Sequence, residues 1–78
     1  MSLTREHIEL VDNLIALARE KGYRDETIEI LIMLPFSARV VKNVGSTDGA
    51  TRKIIDFIKE SKTSQECIGK ALQLAGIE

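Results

Sequence analysis

Apolar residues recur along the chain at spacings of three and four, in runs separated by short polar or glycine-containing breaks, and that periodicity predicts helices rather than strands. The first run extends from Thr4 to Lys21. Ile8, Val11, Ile15 and Ala18 form its stripe, and Leu10, Leu14 and Leu17 widen it. Thr4 stands where an N-cap belongs, with Glu6 in the favourable first turn. Gly22 stands where a left-handed C-terminal residue is needed, followed by Tyr23 to pack back on the last turn.

Asp25 offers a second cap, with Glu26 inside the turn that follows. The run Ile28-Glu29-Ile30-Leu31-Ile32-Met33-Leu34 continues until Pro35 stops it. Alternation of Ile28, Ile30, Ile32 and Leu34 also fits a strand, but a lone strand has no pairing partner here, and the acidic start favours a helix. Apolar nearly all round, this run reads as the central and most buried helix. A third helix starts at Pro35 or Ser37, places Phe36, Val40, Val41 and Val44 on one face, and ends at Gly45. Gly45-Ser46-Thr47-Asp48-Gly49 is the clearest loop, and Asp48 or Thr47 caps a fourth helix carrying Ile54, Ile55, Phe57 and Ile58 to about Ser61. Thr63-Ser64-Gln65-Glu66 has capping-box spacing and opens a fifth helix that turns Cys67, Ile68, Ala71, Leu72 and Ala75 inward and ends at Gly76. The expected architecture is all-α, a compact bundle of four to five short helices forming a single domain over residues 1–78.

Composition narrows the function classes. A chain of 78 residues has a thin core with little room for an internal cofactor pocket, so the expectation is a non-enzyme without cofactor. One cysteine and one histidine exclude a disulfide framework and a Cys/His zinc site. Three aromatic rings, Tyr23, Phe36 and Phe57, are too few for a base-stacking platform. No apolar run is long enough to span a bilayer, and the N-terminus lacks the basic start and apolar segment of a signal peptide, which points to the cytoplasm. The net charge is -1, unevenly spread: residues 1–34 carry four basic and seven acidic side chains, residues 35–78 seven and five.

That asymmetry bears on the sharpest local pattern, the helix pair from Ile54 to Ile77. An apolar helix, a three-residue break near Lys62-Thr63, and then Thr63-Ser64-Gln65-Glu66-Cys67-Ile68-Gly69-Lys70-Ala71-Leu72 resembles the helix-turn-helix of many bacterial regulators. The resemblance covers about 24 residues and implies DNA binding. Gln65 and Gln73 would meet base edges, Lys70 a phosphate, and Arg39, Lys42, Arg52 and Lys53 would grip the backbone. Two features count against it: Glu66 would face phosphate, and if Ser64 to Ala75 is the positioning helix, no recognition helix follows before Glu78. The segment from Gly45 to Arg52 also resembles a phosphate-binding loop, but its glycines are one residue too close and Ala50 stands where lysine belongs, so it reads as a capped turn.

The other chemistry-bearing residues read as structural. His7, in the first turn beside Arg5 and Glu6, is expected on the surface. Cys67 is expected to serve as a small buried hydrophobe. Acidic pairs such as Glu6 with Glu9 and Asp25 with Glu29 read as solvated, without a metal. Gly69 inside a helix suggests close approach of another helix, most simply within the monomer. The leading expectation is a regulator, adaptor or homodimer acting through protein contacts, with Ile30, Met33 and Gly69 at the interface; DNA is the alternative partner.

Overall fold

The first apolar run folds as α1, Arg5–Glu20, in a computed structural model whose described residues are 4–76. Thr4 caps it as expected, its hydroxyl accepting from the His7 backbone amide at 3.1 Å. At the other end Gly22 takes φ +81°, a left-handed conformation that lets the Tyr23 amide donate to the Ala18 carbonyl at 3.0 Å and folds the tyrosine ring onto the core. The buried stripe differs from expectation by one residue of rotation. His7, Leu14 and Ala18 face inward with Leu10, Val11, Ile15 and Leu17 half-buried, while Ile8 is exposed. Positions 7, 14 and 18 share a helix face as readily as 8, 11, 15 and 18, and only the polar identity of His7 argued for the second set.

The second run folds as α2, Asp25–Met33, with Arg24 rather than Asp25 at the cap position. Asp25 and Glu26 lie inside the first turn, where carboxylates favour the positive end of the helix dipole without capping it. This helix is not the central one. Its two and a half turns bury Ile28 and Leu31 on a single side and leave Ile30 and Met33 exposed. Past Met33 the chain tightens into one 3-10 turn, Leu34–Phe36, built around a buried Pro35 and closed by the Ser37 amide donating to the Leu34 carbonyl at 3.0 Å. Ser37 is extended, so α3 starts only at Ala38 and runs to Val44. Phe36 therefore belongs to the tight turn and stands exposed; only Val40, Val41 and Val44 keep the expected inward face.

The central element is α4, Thr47–Glu60, which packs against α1, α3, α5 and the 3-10 turn and buries Ala50, Thr51, Ile54, Ile55 and Ile58. Its cap is Ser46, not Thr47 or Asp48: the Ser46 hydroxyl accepts from the Gly49 amide at 2.9 Å. A methyl at Gly49 would lie 2.9 Å from that hydroxyl, so the side-chain-free residue is what lets the cap close. Asp48 is thereby released for another partner. The last helix is α5, Ser64–Leu74, with Thr63 accepting from the Glu66 amide at 3.1 Å and the Glu66 carboxylate accepting from the Lys62 amide at 3.0 Å. The box is thus closed one residue earlier than the usual reciprocal arm.

The five helices form an all-α bundle, without a strand among the described residues, as the sequence pattern predicts. Leu14, Leu31, Ile54, Ile58 and Cys67 join α1, α2, α4 and α5 in the main core, and Val40, Ala50 and Ala75 form a smaller one under α3. Lys21 Nζ donates to the Ser61 carbonyl at 2.9 Å, and the Asn43 amide to the Leu74 carbonyl at 2.9 Å, fastening helix ends across the bundle. No helix in the described residues is long and apolar enough to cross a membrane.

Candidate docking surface

The inward rotation of α1 places its one histidine in the protein interior, contrary to the surface position expected of it. His7 is 5% exposed, and its Nδ1 lies 2.8 Å from Asp48 Oδ1 across 41 residues of chain. A carboxylate oxygen only accepts, so Nδ1 carries the proton of that hydrogen bond, and in the uncharged ring Nε2 keeps a lone pair. Nε2 is buried and no described residue hydrogen-bonds to it. The Phe36 ring meets the imidazole edge-on, with centroids 5.2 Å apart and planes at 81°.

His7 also lines a groove of about 290 Å³ between α1 and the α2 exit, together with Ile8, Val11, Asp12, Ile32 and Phe36. A second hollow of about 230 Å³ is lined by Ile30, Met33, Leu34 and Ser37. Among the described residues the exposed large hydrophobics are Ile8 at 47%, Ile30 at 45%, Met33 at 71% and Phe36 at 50%. All four line these two hollows. Ile30, Met33 and Phe36 recur every third residue through α2 and the tight turn, a ridge that lines the second hollow at Ile30 and Met33 and the first at Phe36. Two of the residues expected at an interface, Ile30 and Met33, are therefore brought together here; Ile8, Phe36 and His7 were missed. The signal for Phe36 was the proline beside it, which tightens the chain and pushes the ring outward.

Gly69 lies elsewhere, exposed on α5, and a methyl built on it would meet nothing within 4 Å. The expected close helix approach within the monomer is absent, because the residue faces open space. Arg39 and Lys42 are exposed on α3, and Arg52 and Lys53 on the first half of α4. Gln65 and Gln73 are exposed on α5, while Lys70 is half-buried, 3.8 Å from Glu60 and 4.0 Å from Glu66. Helix α5 thus turns toward solvent two glutamines and a glutamate already engaged in its own cap, with its one lysine held between carboxylates. Ile77 and Glu78, the end of the unit resembling a helix-turn-helix, lie outside the described residues.

Cys67 is fully buried on α5, as expected, and burial pushes its thiol above the usual range, with Tyr23, Lys70 and Lys21 pulling more weakly the other way. Burial, and then Cys67 beside it, push the Tyr23 hydroxyl from 10.0 to about 12. Neither group is prepared as a nucleophile. His7 and Asp48 make an oriented pair, but Nε2 is covered and no hydroxyl or thiol bonds to it among the described residues. No three His, Cys, Asp or Glu side chains converge as metal ligands within those residues. The geometry suits apolar docking. Comparison with protein-family models, with curated proteins and with solved structures gave no match.

Proposed function

We propose that the protein is a small non-enzymatic helical module that works through protein contacts, and that the ridge of Ile30, Met33 and Phe36, with Ile8 across the groove, is its docking surface. The observation that carries this reading is that the exposed large hydrophobics gather at one place. Single exposed apolar residues are ordinary, but a ridge bordering two hollows marks a surface that gains by being covered. Covering each such side chain fully contributes about 1.5–3 kcal/mol before the costs of association. The flanks are acidic: Asp12 lines the groove, and Glu9 and Glu29 stand exposed next to its walls, against Arg5 as the one basic residue of the first two turns of α1. An apolar helix stripe with lysines or arginines on its shoulders fits such a surface. The reading assigns the protein to the cytoplasm, where a lone thiol such as Cys67 stays reduced.

The test is the binding of a lysine-flanked, leucine-striped helical peptide to the protein and to two variants. Met33→Ser is expected to weaken binding about tenfold while leaving the fold intact. Arg52→Ser, on α4, is expected to leave the affinity unchanged. Equal binding by Met33→Ser, or its unfolding, would assign the ridge to some other purpose. Binding of duplex DNA that falls steeply with salt and is lost in Arg52→Ser would move the function to the basic residues of α3 and α4.

A further inference from the structure

The groove between α1 and the α2 exit carries a charge that the rest of the molecule does not answer. Its walls are hydrocarbon, with Ile8 and Val11 from α1, Ile32 from α2 and the ring of Phe36 around about 290 Å³. Besides the buried His7, the one ionisable group in the lining is Asp12, exposed on α1 and without an ion pair among the described residues. Helix geometry keeps it so. The positions that neighbour residue 12 along α1 are Ile8, Glu9, Ile15 and Ala16, none of them basic, and the basic residues of the helix, Arg5 and Arg19, are each seven positions away. On α2, Glu29 stands one turn before Ile32 and adds a second exposed carboxylate. From these observations we infer that the groove receives a basic side chain of the partner's helix, its hydrocarbon stem lying on the apolar walls and its cationic head paired with Asp12. This deepens the docking reading and rests on it for the helix; what it adds is the residue of the groove that selects the partner.

The lining discriminates among occupants. An apolar side chain laid over the groove would draw Asp12 out of water without a partner, and an unpaired carboxylate is costly to desolvate. An acidic side chain would meet repulsion from Asp12 and Glu29. A lysine or arginine suits both halves of the lining, because its methylenes pack on apolar surface while its charged head stays at the wet rim. Asp12 therefore acts on specificity more than on strength: an ion pair at an exposed rim contributes little affinity, whereas a wrong charge there is penalised. A second copy of the chain is the wrong occupant. The exposed large hydrophobics of the described residues are Ile8, Ile30, Met33 and Phe36, so a copy would have to bring this same surface, setting acidic flank against acidic flank.

The experiment is a double-mutant cycle. The lysine-flanked, leucine-striped peptide is compared with a series in which each lysine in turn is norleucine, which keeps the stem and drops the charge, on the unaltered protein and on Asp12→Asn. One norleucine peptide is expected to bind about three- to fivefold more weakly than the parent, the scale of one rim ion pair, and Asp12→Asn is expected to abolish that difference. Asp56→Asn, which removes an exposed carboxylate from α4, is expected to leave it intact. Because Asp12 is exposed and asparagine has its shape, the variant should keep the thermal midpoint of the parent protein; a lowered midpoint would assign Asp12 to the fold instead. Norleucine peptides that all bind as tightly as the parent, or a difference reduced equally by Asp12→Asn and Asp56→Asn, would overturn the pairing. The ridge reading would still stand if Met33→Ser weakened the parent peptide. No binding by the parent peptide would overturn both.

Discussion

At the scale of single residues, burial has set the chemistry of the polar groups. Tyr23 and Cys67 sit together in the core, and both are held in their protonated forms more firmly than in an unfolded chain. A group whose pKa is raised on folding contributes stability that is fully present below its unfolded pKa and is lost as pH rises through the folded pKa. The stability that these two groups contribute is therefore expected to be lost progressively as pH rises from about 9 toward 12. Urea midpoints measured across this range, beside the ultraviolet titration of Tyr23, check the loss. Tyr23→Phe should remove much of the alkaline loss; an unchanged profile would place its cause elsewhere. His7 shows what sequence does not carry at this scale. One histidine in a first turn reads as exposed, and its partner Asp48 lies far along the chain, released by a cap at Ser46 that the sequence equally offered to Thr47 or Asp48.

At the scale of elements, the ends of helices were the most legible features. Thr4, Thr63, Gly22, Gly45 and Gly76 all stand at helix ends, because caps and left-handed turns depend on local chemistry that few residue types satisfy. Which face turns inward was less legible. It depends on neighbours distant in sequence, so α1 is rotated by one residue and α2, apolar all round, lies at the edge of the bundle. Two substitutions test the element account. Ser46→Ala, which removes the α4 cap, is expected to cost about 1 kcal/mol in chemical denaturation. Gly69→Ala, on an exposed helix face with open space for the methyl, is expected to stabilise the protein by up to about 1 kcal/mol, raising the thermal midpoint by roughly 4–8 °C. A destabilising Gly69→Ala would mean that something approaches that face after all.

At the scale of the whole molecule, the all-α bundle followed from periodicity, whereas the docking surface is a product of assembly. Ile30 and Met33 could be singled out because α2 is too apolar for its length. Ile8 and Phe36 join them only once α1 has turned and Pro35 has tightened the chain, which brings residues 8 and 36 to one groove. The account places a partner's helix on the ridge, so the isolated protein is expected to sediment as a monomer. A dimer dissociated by Met33→Glu would show instead that a second copy covers the ridge. The most direct test of the central claim is amide chemical-shift mapping of the labelled protein on addition of the lysine-flanked, leucine-striped peptide. Shifts gathered on Ile8, Ile30, Met33 and Phe36, and at the α1 turn containing His7, are the predicted result; shifts gathered on Arg39, Lys42, Arg52 and Lys53 or along Gln65–Gln73, or none at all, would contradict it.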